Sequence, residues 1–293
     1  MGRRRGLLCT ARAAWLAAAV CTQLLLVLVS AQTCPPAQQC AFRVLAIGDS
    51  LTKGAVPSKQ LNHPYSLRLQ ALLDRKFKNR ATPSVTTAAY NYMGVFQKAQ
   101  NDDGQVLDVT LVPLMQSQLD QAKQQGRGYQ WVVVMAGVND LGAGNYTAAA
   151  IMPKLAEAYK LATASGANVL AIPPFPNRFV SRSSKNEQQR LQLAVLMRNW
   201  VAAQPAAGDC GQPRVYLAEM PAFWFGFWSM PPERRAEMQD DLLHLTEKGY
   251  DLLAWQIFNA ISPRVPLRGC LCPTAAGSSS SSRSGSSNRK GRL

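Results

Sequence analysis

"FRVLAIGDSLTKG", Phe42 to Gly54, is the stretch on which the reading of this chain turns. From Phe42 to Ile47 it is apolar at nearly every position rather than at every second one. That is the pattern of a strand covered on both faces, as in a parallel sheet packed between helices. Gly48, Asp49 and Ser50 then break the run with turn-forming residues. The stretch therefore reads as a buried strand that delivers a serine to its carboxyl end. Whether Ser50 is an ordinary turn residue or a nucleophile depends on what else reaches the same place.

Four more runs of this kind follow: "SVTTAA" (84–89), "WVVVMA" (131–136), "NVLAI" (168–172) and "RVYLAE" (214–219). Between them lie segments with helical spacing, such as Tyr65, Leu69, Leu72, Leu73 and Ile151, Leu155, Ala158, Tyr159, Ala162. A last helix is expected after Thr246, a capping residue, with Tyr250, Leu253, Ala254, Ile257 and Ile261 on its apolar face. Strand and helix alternating through five strands predict an α/β fold, a central and mostly parallel five-stranded sheet with helices on both faces. Ligands of such sheets bind beyond the carboxyl ends of the strands. Ser50 follows the first run, Gly94 the second and "GVND" (137–140) the third, while His244 precedes the final helix, so all four converge on that edge.

A serine hydroxyl needs a positioned base to become a nucleophile near neutral pH. The chain has two histidines. In "DDLLHLT" Asp241 stands three residues before His244, a spacing that lets the carboxylate reach the imidazole nitrogen facing away from the serine and fix its tautomer. His63, in "NHPY", has no acid near it in the sequence, and reads as a helix cap at Pro64 or as a wall of the substrate pocket. Donors for a developing oxyanion are expected from Ser50 N–H, Gly94 N–H and the Asn139 side chain.

In this order, "GDSLTKG" (48–54), Gly94, "GVND" (137–140) and "DLLH" (241–244) resemble the four blocks of the SGNH, or GDSL-type, hydrolases. The likeness spans about Phe42 to Ile261; its second block rests on a single glycine in "AAYNYMGVF". The resemblance implies a flavodoxin-like three-layer α/β/α sandwich and hydrolysis of an acyl or acetyl ester, on a carbohydrate or a lipid-like molecule, through an acyl-serine intermediate, with no metal or cofactor. Ser50 is then the nucleophile, His244 the base and then the acid, and Asp241 the orienting carboxylate. Ser50, Gly94 and Asn139 form the oxyanion hole, and Asp49 and Asp140 support their loops. Acyl transfer to a sugar hydroxyl by the same triad is one alternative, and a non-catalytic cell-wall-binding protein of this fold is another.

Other readings of the serine fail on particulars. "SLTK" matches the Ser-x-x-Lys of penicillin-recognising enzymes, but no Lys-Thr-Gly follows. Thr52 occupies the place of the second glycine in a Gly-x-Ser-x-Gly elbow, and the glycine and lysine spacing does not make a phosphate loop.

The flanks set the context. Arg3, Arg4, Arg5 and Arg12 precede an uncharged run from Ala13 to Ser30, so residues 1–31 read as a secretory signal peptide or a signal anchor, type II in topology. Either route leads to a secreted, lumenal or extracellular domain over 32–273. There Cys34, Cys40, Cys210, Cys270 and Cys272 are expected at the sheet edge opposite Ser50, in disulfides tying the N-terminal lead-in to the C-terminal segment, with the odd fifth thiol free or paired with another chain. "NYT" makes Asn145 an N-glycosylation acceptor. Residues 274–293, rich in Ser, Gly and basic side chains, are expected to be disordered. The net charge is +15, and about +7 without the basic leader and tail, which suits a polyanionic wall polysaccharide or an anionic membrane surface. No pairing of aromatic and basic residues points to nucleic acid. "PAFWFGFWSMPP" (221–232), with Trp224 and Trp228, is expected to wall the substrate pocket or to pack as a buried loop.

Overall fold

The computed structural model describes residues 40–78, 80–177, 184–204, 214–221, 225–226 and 229–265. Its main sheet has five parallel strands: β1 (Cys40–Gly48), β4 (Ala81–Ala89), β5 (Trp131–Met135), β6 (Asn168–Ile172) and β7 (Val215–Leu217), in the order β4-β1-β5-β6-β7. Counting only these strands, the order is 2-1-3-4-5, the doubly wound arrangement of flavodoxin-like folds. A ribbon of two short antiparallel strands, β2 (Ala55–Val56) and β3 (Leu61–Asn62), is a separate feature that the sequence reading did not contain.

The continuous apolar runs have a direct cause. Side chains alternate across a strand, and here both faces are buried. Leu45 and Ile47 of β1 and Val132 and Val134 of β5 enter one core, with α3 (Leu111–Gln124), α5 (Ala148–Ala164) and α6 (Lys185–Ala202) over it. Phe42, Val44 and Ala46 of β1, with Trp131, Val133 and Met135 of β5, enter the other, under α2 (Tyr65–Phe77) and α8 (Glu247–Ile261). Burying one such aliphatic side chain contributes about 1.5–3 kcal/mol. A charge placed at Val133, which has no exposure, would therefore break the sandwich at its centre.

β4 is the edge strand beside β1, and it tolerates Pro83, the partly exposed Thr86 and the exposed Thr87 because only one of its sides is paired. β7 is shorter than the run 214–219 suggests. The final helix starts where the sequence places it, because Thr246 Oγ1 accepts the Gly249 N–H at 3.1 Å. The leader, the tail and the cysteines Cys34, Cys210, Cys270 and Cys272 lie outside the described residues. Among the described residues no helix is long and apolar enough to cross a membrane.

Candidate active site

Ser50 is carried by a tight turn. β1 ends at Gly48, where a Cβ would lie 2.2 Å from the Met135 carbonyl and 2.3 Å from Thr52 Oγ1, so the close approach of β5 demands glycine. Asp49 caps the short helix α1 (Ser50–Lys53), its Oδ1 accepting the Leu51 N–H at 2.9 Å. Ser50 is the first residue of that helix, so its own N–H has no carbonyl one turn back to bond. The side chain is nearly buried, at 7% exposure.

His244 comes from a loop after α7 (Pro232–Met238), closed by the Gln239–Leu245 bridge and by the Asp240 N–H donating to the His244 carbonyl at 3.0 Å. Its Nδ1–H donates to Asp241 Oδ2 at 2.8 Å, which leaves Nε2 as the acceptor for the Ser50 hydroxyl at 2.9 Å. Asp241 Oδ1 accepts the backbone N–H groups of Leu243 and His244 at 2.7 and 2.6 Å. Partial burial by itself would raise the Asp241 carboxyl. The hydrogen bonds from the His244 imidazole and from the two backbone N–H groups outweigh it and hold the pKa at about 2. Asp241 is thus a fixed negative charge behind the imidazole.

The third wall is the carboxyl end of β5. Gly137 turns in the left-handed region, φ +104°, into the single-turn helix α4 (Val138–Leu141). Asn139 Nδ2 donates one hydrogen to the Met93 carbonyl at 3.2 Å, and its second amide hydrogen remains for a ligand. Asp140 is fully buried and gathers the N–H groups of Val95, Phe96 and Gln97 at 2.9, 2.8 and 3.1 Å. That gathering corrects one expectation: the folded-over 95–97 segment brings the Gln97 carbonyl to the Gly94 N–H, which donates to it at 3.0 Å. The Gly94 donor is therefore engaged within the loop. What glycine provides here is space, since a Cβ would lie 2.3 Å from the Asp140 carboxylate.

Asp49 is a second buried acid at this site, and nothing gathers around it as the N–H groups gather around Asp140. Its Oδ2 has no hydrogen-bond partner. Burial pushes its pKa up to about 7, against the Leu51 N–H and the charge of His244, which lower it. A carboxyl in that state is protonated over much of the acid range.

Beside Asn139 and Leu243 opens a cavity of about 420 Å3, lined also by Tyr92, Asn177, Asn186 and Arg190. These four were not singled out from the sequence. Tyr92 alone carries a structural mark, a φ of +58° unusual for a non-glycine residue, and that is invisible in composition. The Arg190 charge is not offered to the cavity, because Nε and Nη2 donate to the two Glu187 oxygens at 2.7 Å and Nη1 donates to the Pro174 carbonyl at 2.9 Å.

His63 is not among the residues lining this cavity, nor does it cap α2; Pro64 is the N-cap residue and makes no side-chain cap. Its acid is supplied by the fold: Nε2 lies 2.9 Å from Asp251 Oδ1 of α8. Asn145 is exposed, in a left-handed turn with φ +50°. Trp224 and Trp228 lie outside the described residues. Among the described residues no group of three or more His, Cys, Asp and Glu side chains is arranged to hold a metal ion.

A serine, a histidine and an aspartate in one hydrogen-bonded line, at the carboxyl edge of a 2-1-3-4-5 parallel sheet, define the class of serine hydrolases built on a flavodoxin-like sandwich. Residues 46–252 match the GDSL-like lipase/acylhydrolase family, and the chain belongs to that family of ester hydrolases. Similar solved structures include a carbohydrate acetylesterase family member from Sinorhizobium meliloti, with 18% identity, TM-score 0.52, and 76% of this chain and 98% of that one covered. Another is the lipase/acylhydrolase from Enterococcus faecalis, with 18% identity, TM-score 0.52, and 78% and 99% covered. The aryl esterase of M. smegmatis in its inhibitor-bound form aligns with 17% identity, TM-score 0.50, and 76% and 99% covered. At these identities the likeness establishes the shared fold. No curated protein sequence matches the chain.

Proposed function

We propose that the chain is a serine esterase that hydrolyses short acyl esters, acetyl esters of carbohydrates among them, through an acyl-serine intermediate. The observation that carries this reading is the line Asp241–His244–Ser50, with contacts of 2.8 and 2.9 Å. In the proposed cycle His244 Nε2 takes the Ser50 proton as Oγ attacks the ester carbonyl. The same proton then passes to the departing alkoxide, leaving acyl-Ser50, and a water activated by His244 releases the acid. Asp241 keeps Nδ1 protonated throughout. The oxyanion is met by the Ser50 N–H and the spare Asn139 amide hydrogen, and Gly94 N–H joins them only by giving up its bond to Gln97.

Two features support a small, uncharged substrate. The adjoining cavity is about 420 Å3, and the one cation lining it among the described residues, Arg190, is neutralised by Glu187. Two of the aligned structures, an aryl esterase and a carbohydrate acetylesterase family member, support the same choice. Acyl transfer to a sugar hydroxyl uses the same groups and differs in excluding water. We also read the chain as following the secretory route, with residues 1–31 as leader or anchor, a glycan at the exposed Asn145, and affinity for an anionic wall or membrane surface.

The test is hydrolysis of p-nitrophenyl esters from acetate to palmitate by the wild type and Ser50→Ala. Activity greatest on the short chains and absent in the variant supports the reading. A wild type that neither hydrolyses them nor reacts at Ser50 with a fluorophosphonate sinks it.

A further inference from the structure

Nucleophile and base stand 194 positions apart in the chain, and besides apolar packing a polar contact holds their segments in register. Immediately after α1 the chain forms the β2–β3 ribbon, with a 3-10 turn, Pro57–Lys59, at its tip. This tip reaches the loop that carries His244. Ser58 N–H donates to Asp240 Oδ2 at 2.9 Å, and the Ser58 hydroxyl donates to the other oxygen of the same carboxylate. Asp240 N–H donates in turn to the His244 carbonyl at 3.0 Å. One residue thus joins the ribbon tip to the backbone of the base.

The neighbouring contacts run from the same ribbon and its flanks to α8, the helix that follows the His244 loop. Tyr250 OH donates to the Ala55 carbonyl at 2.9 Å, Lys59 pairs with Glu247, and His63 with Asp251. The Lys59–Glu247 ion pair and the His63–Asp251 contact are at least partly exposed, and such contacts are individually weak. The Asp240 contact differs from them because both carboxylate oxygens are bound, one by a main-chain donor in a short turn, which fixes direction as well as distance.

We propose that Asp240, gripped by Ser58, is a positioning residue that sets the 239–245 loop against the nucleophile segment and keeps His244 Nε2 within reach of Ser50 Oγ. Its catalytic consequence rests on the serine-esterase reading; its structural part does not. The Leu243 and His244 amides, both donated to Asp241 Oδ1, report directly on the loop.

The experiment compares Ser58→Ala, Ser58→Thr and Asp240→Ala with the wild type in two readouts: hydrogen exchange of the Leu243 and His244 amides, and kcat and KM on p-nitrophenyl acetate. Misplacing a reacting group by about 1 Å costs about 100-fold in rate, and partial loosening should cost less. Ser58→Ala and Asp240→Ala are expected to speed exchange at both amides about tenfold and to lower kcat about 5- to 20-fold, with KM within about twofold. Ser58→Thr, which keeps the hydroxyl, is expected to restore both. Unchanged amide exchange in Ser58→Ala overturns the proposal whatever the activity does, and faster exchange with unchanged kcat in an active enzyme overturns its catalytic part. A wild type without activity or fluorophosphonate labelling at Ser50 overturns the esterase reading instead, and amide exchange still decides whether Ser58 and Asp240 hold the loop. If Asp240→Ala does not fold, Ser58→Ala, which leaves every backbone donor in place, decides alone.

Discussion

The two histidines of this chain make nearly the same contact. His244 Nδ1 lies 2.8 Å from Asp241 Oδ2, and His63 Nε2 lies 2.9 Å from Asp251 Oδ1. Everything around the contact differs. The His244 side chain is 15% exposed and its far nitrogen meets Ser50, while its aspartate is held by two backbone N–H groups. The His63 side chain is 30% exposed, its aspartate 45%, and its far nitrogen meets no hydroxyl among the described residues. A histidine–aspartate pair is therefore an ingredient and not a function. Shielding, a fixed carboxylate and a serine hydroxyl on the other side of the ring are what distinguish the first pair from the second.

The comparison is broken most directly by removing the first imidazole. His244→Ala is expected to lower kcat on p-nitrophenyl acetate by about 10⁴- to 10⁶-fold, the range found when a member of such a triad is removed. A loss of only a few-fold would mean that His244 is no more a base than His63 is. Asn139→Ala comes next, with an expected fall in kcat of about 10²- to 10³-fold and little change in KM, because in the proposed cycle its spare amide hydrogen is used as negative charge develops on the substrate oxygen. If KM rises instead and kcat holds, Asn139 binds the ground state.

The shielding around His244 also has a thermodynamic signature that the surface around His63 lacks. Asp49 is fully buried beside the site, with its pKa raised from 3.8 to about 7. The native state therefore keeps a proton that the unfolded chain has already lost. Between about pH 4 and 7 unfolding releases that proton, so raising the pH through this window lowers stability, by about 1.4 kcal/mol for each unit the pKa is displaced. Above pH 7 the effect is complete. Asp49→Asn keeps an oxygen for the Leu51 N–H and cannot ionise. Its melting temperature should be flatter than that of the wild type between pH 4 and 7 and higher than it at pH 8. Asp241, held at about 2, acts in the opposite sense, its stabilisation lost only as the pH falls from about 4 through 2. An Asp49→Asn curve parallel to the wild type would show that Asp49 is ionised in the fold.

How far these contrasts could be read in the sequence follows from their range along the chain. Asp241 and His244 are three residues apart, so their contact is local and "DLLH" announces it. Ser50 and His244 are distant, but both lie at strand or helix ends that the apolar runs locate, and the doubly wound rule sends such ends to one edge. Asp251 as the partner of His63, and Asp240 as the partner of Ser58, were not legible, because 188 and 182 residues separate the members and each pair depends on how a two-residue ribbon strand folds back. Gly94 shows a third limit. Its presence after the second strand was readable, but the direction of its N–H is set by Asp140 gathering the three amides that follow, which no local pattern encodes.

The smallest expected effect is the one that completes the comparison. His63→Ala removes an exposed pair, and such pairs contribute at most about 1 kcal/mol. The backbone bond from His63 N–H to the Gly54 carbonyl, 2.7 Å, survives the substitution, so the turn after α1 keeps its anchor. We therefore expect kcat and KM on p-nitrophenyl acetate within about twofold of the wild type, with at most a small loss of stability. A larger fall in kcat would mean that the ribbon transmits strain from α8 to Ser50. A rise in KM alone would bring His63 back to the substrate, at a mouth wider than the cavity beside Asn139.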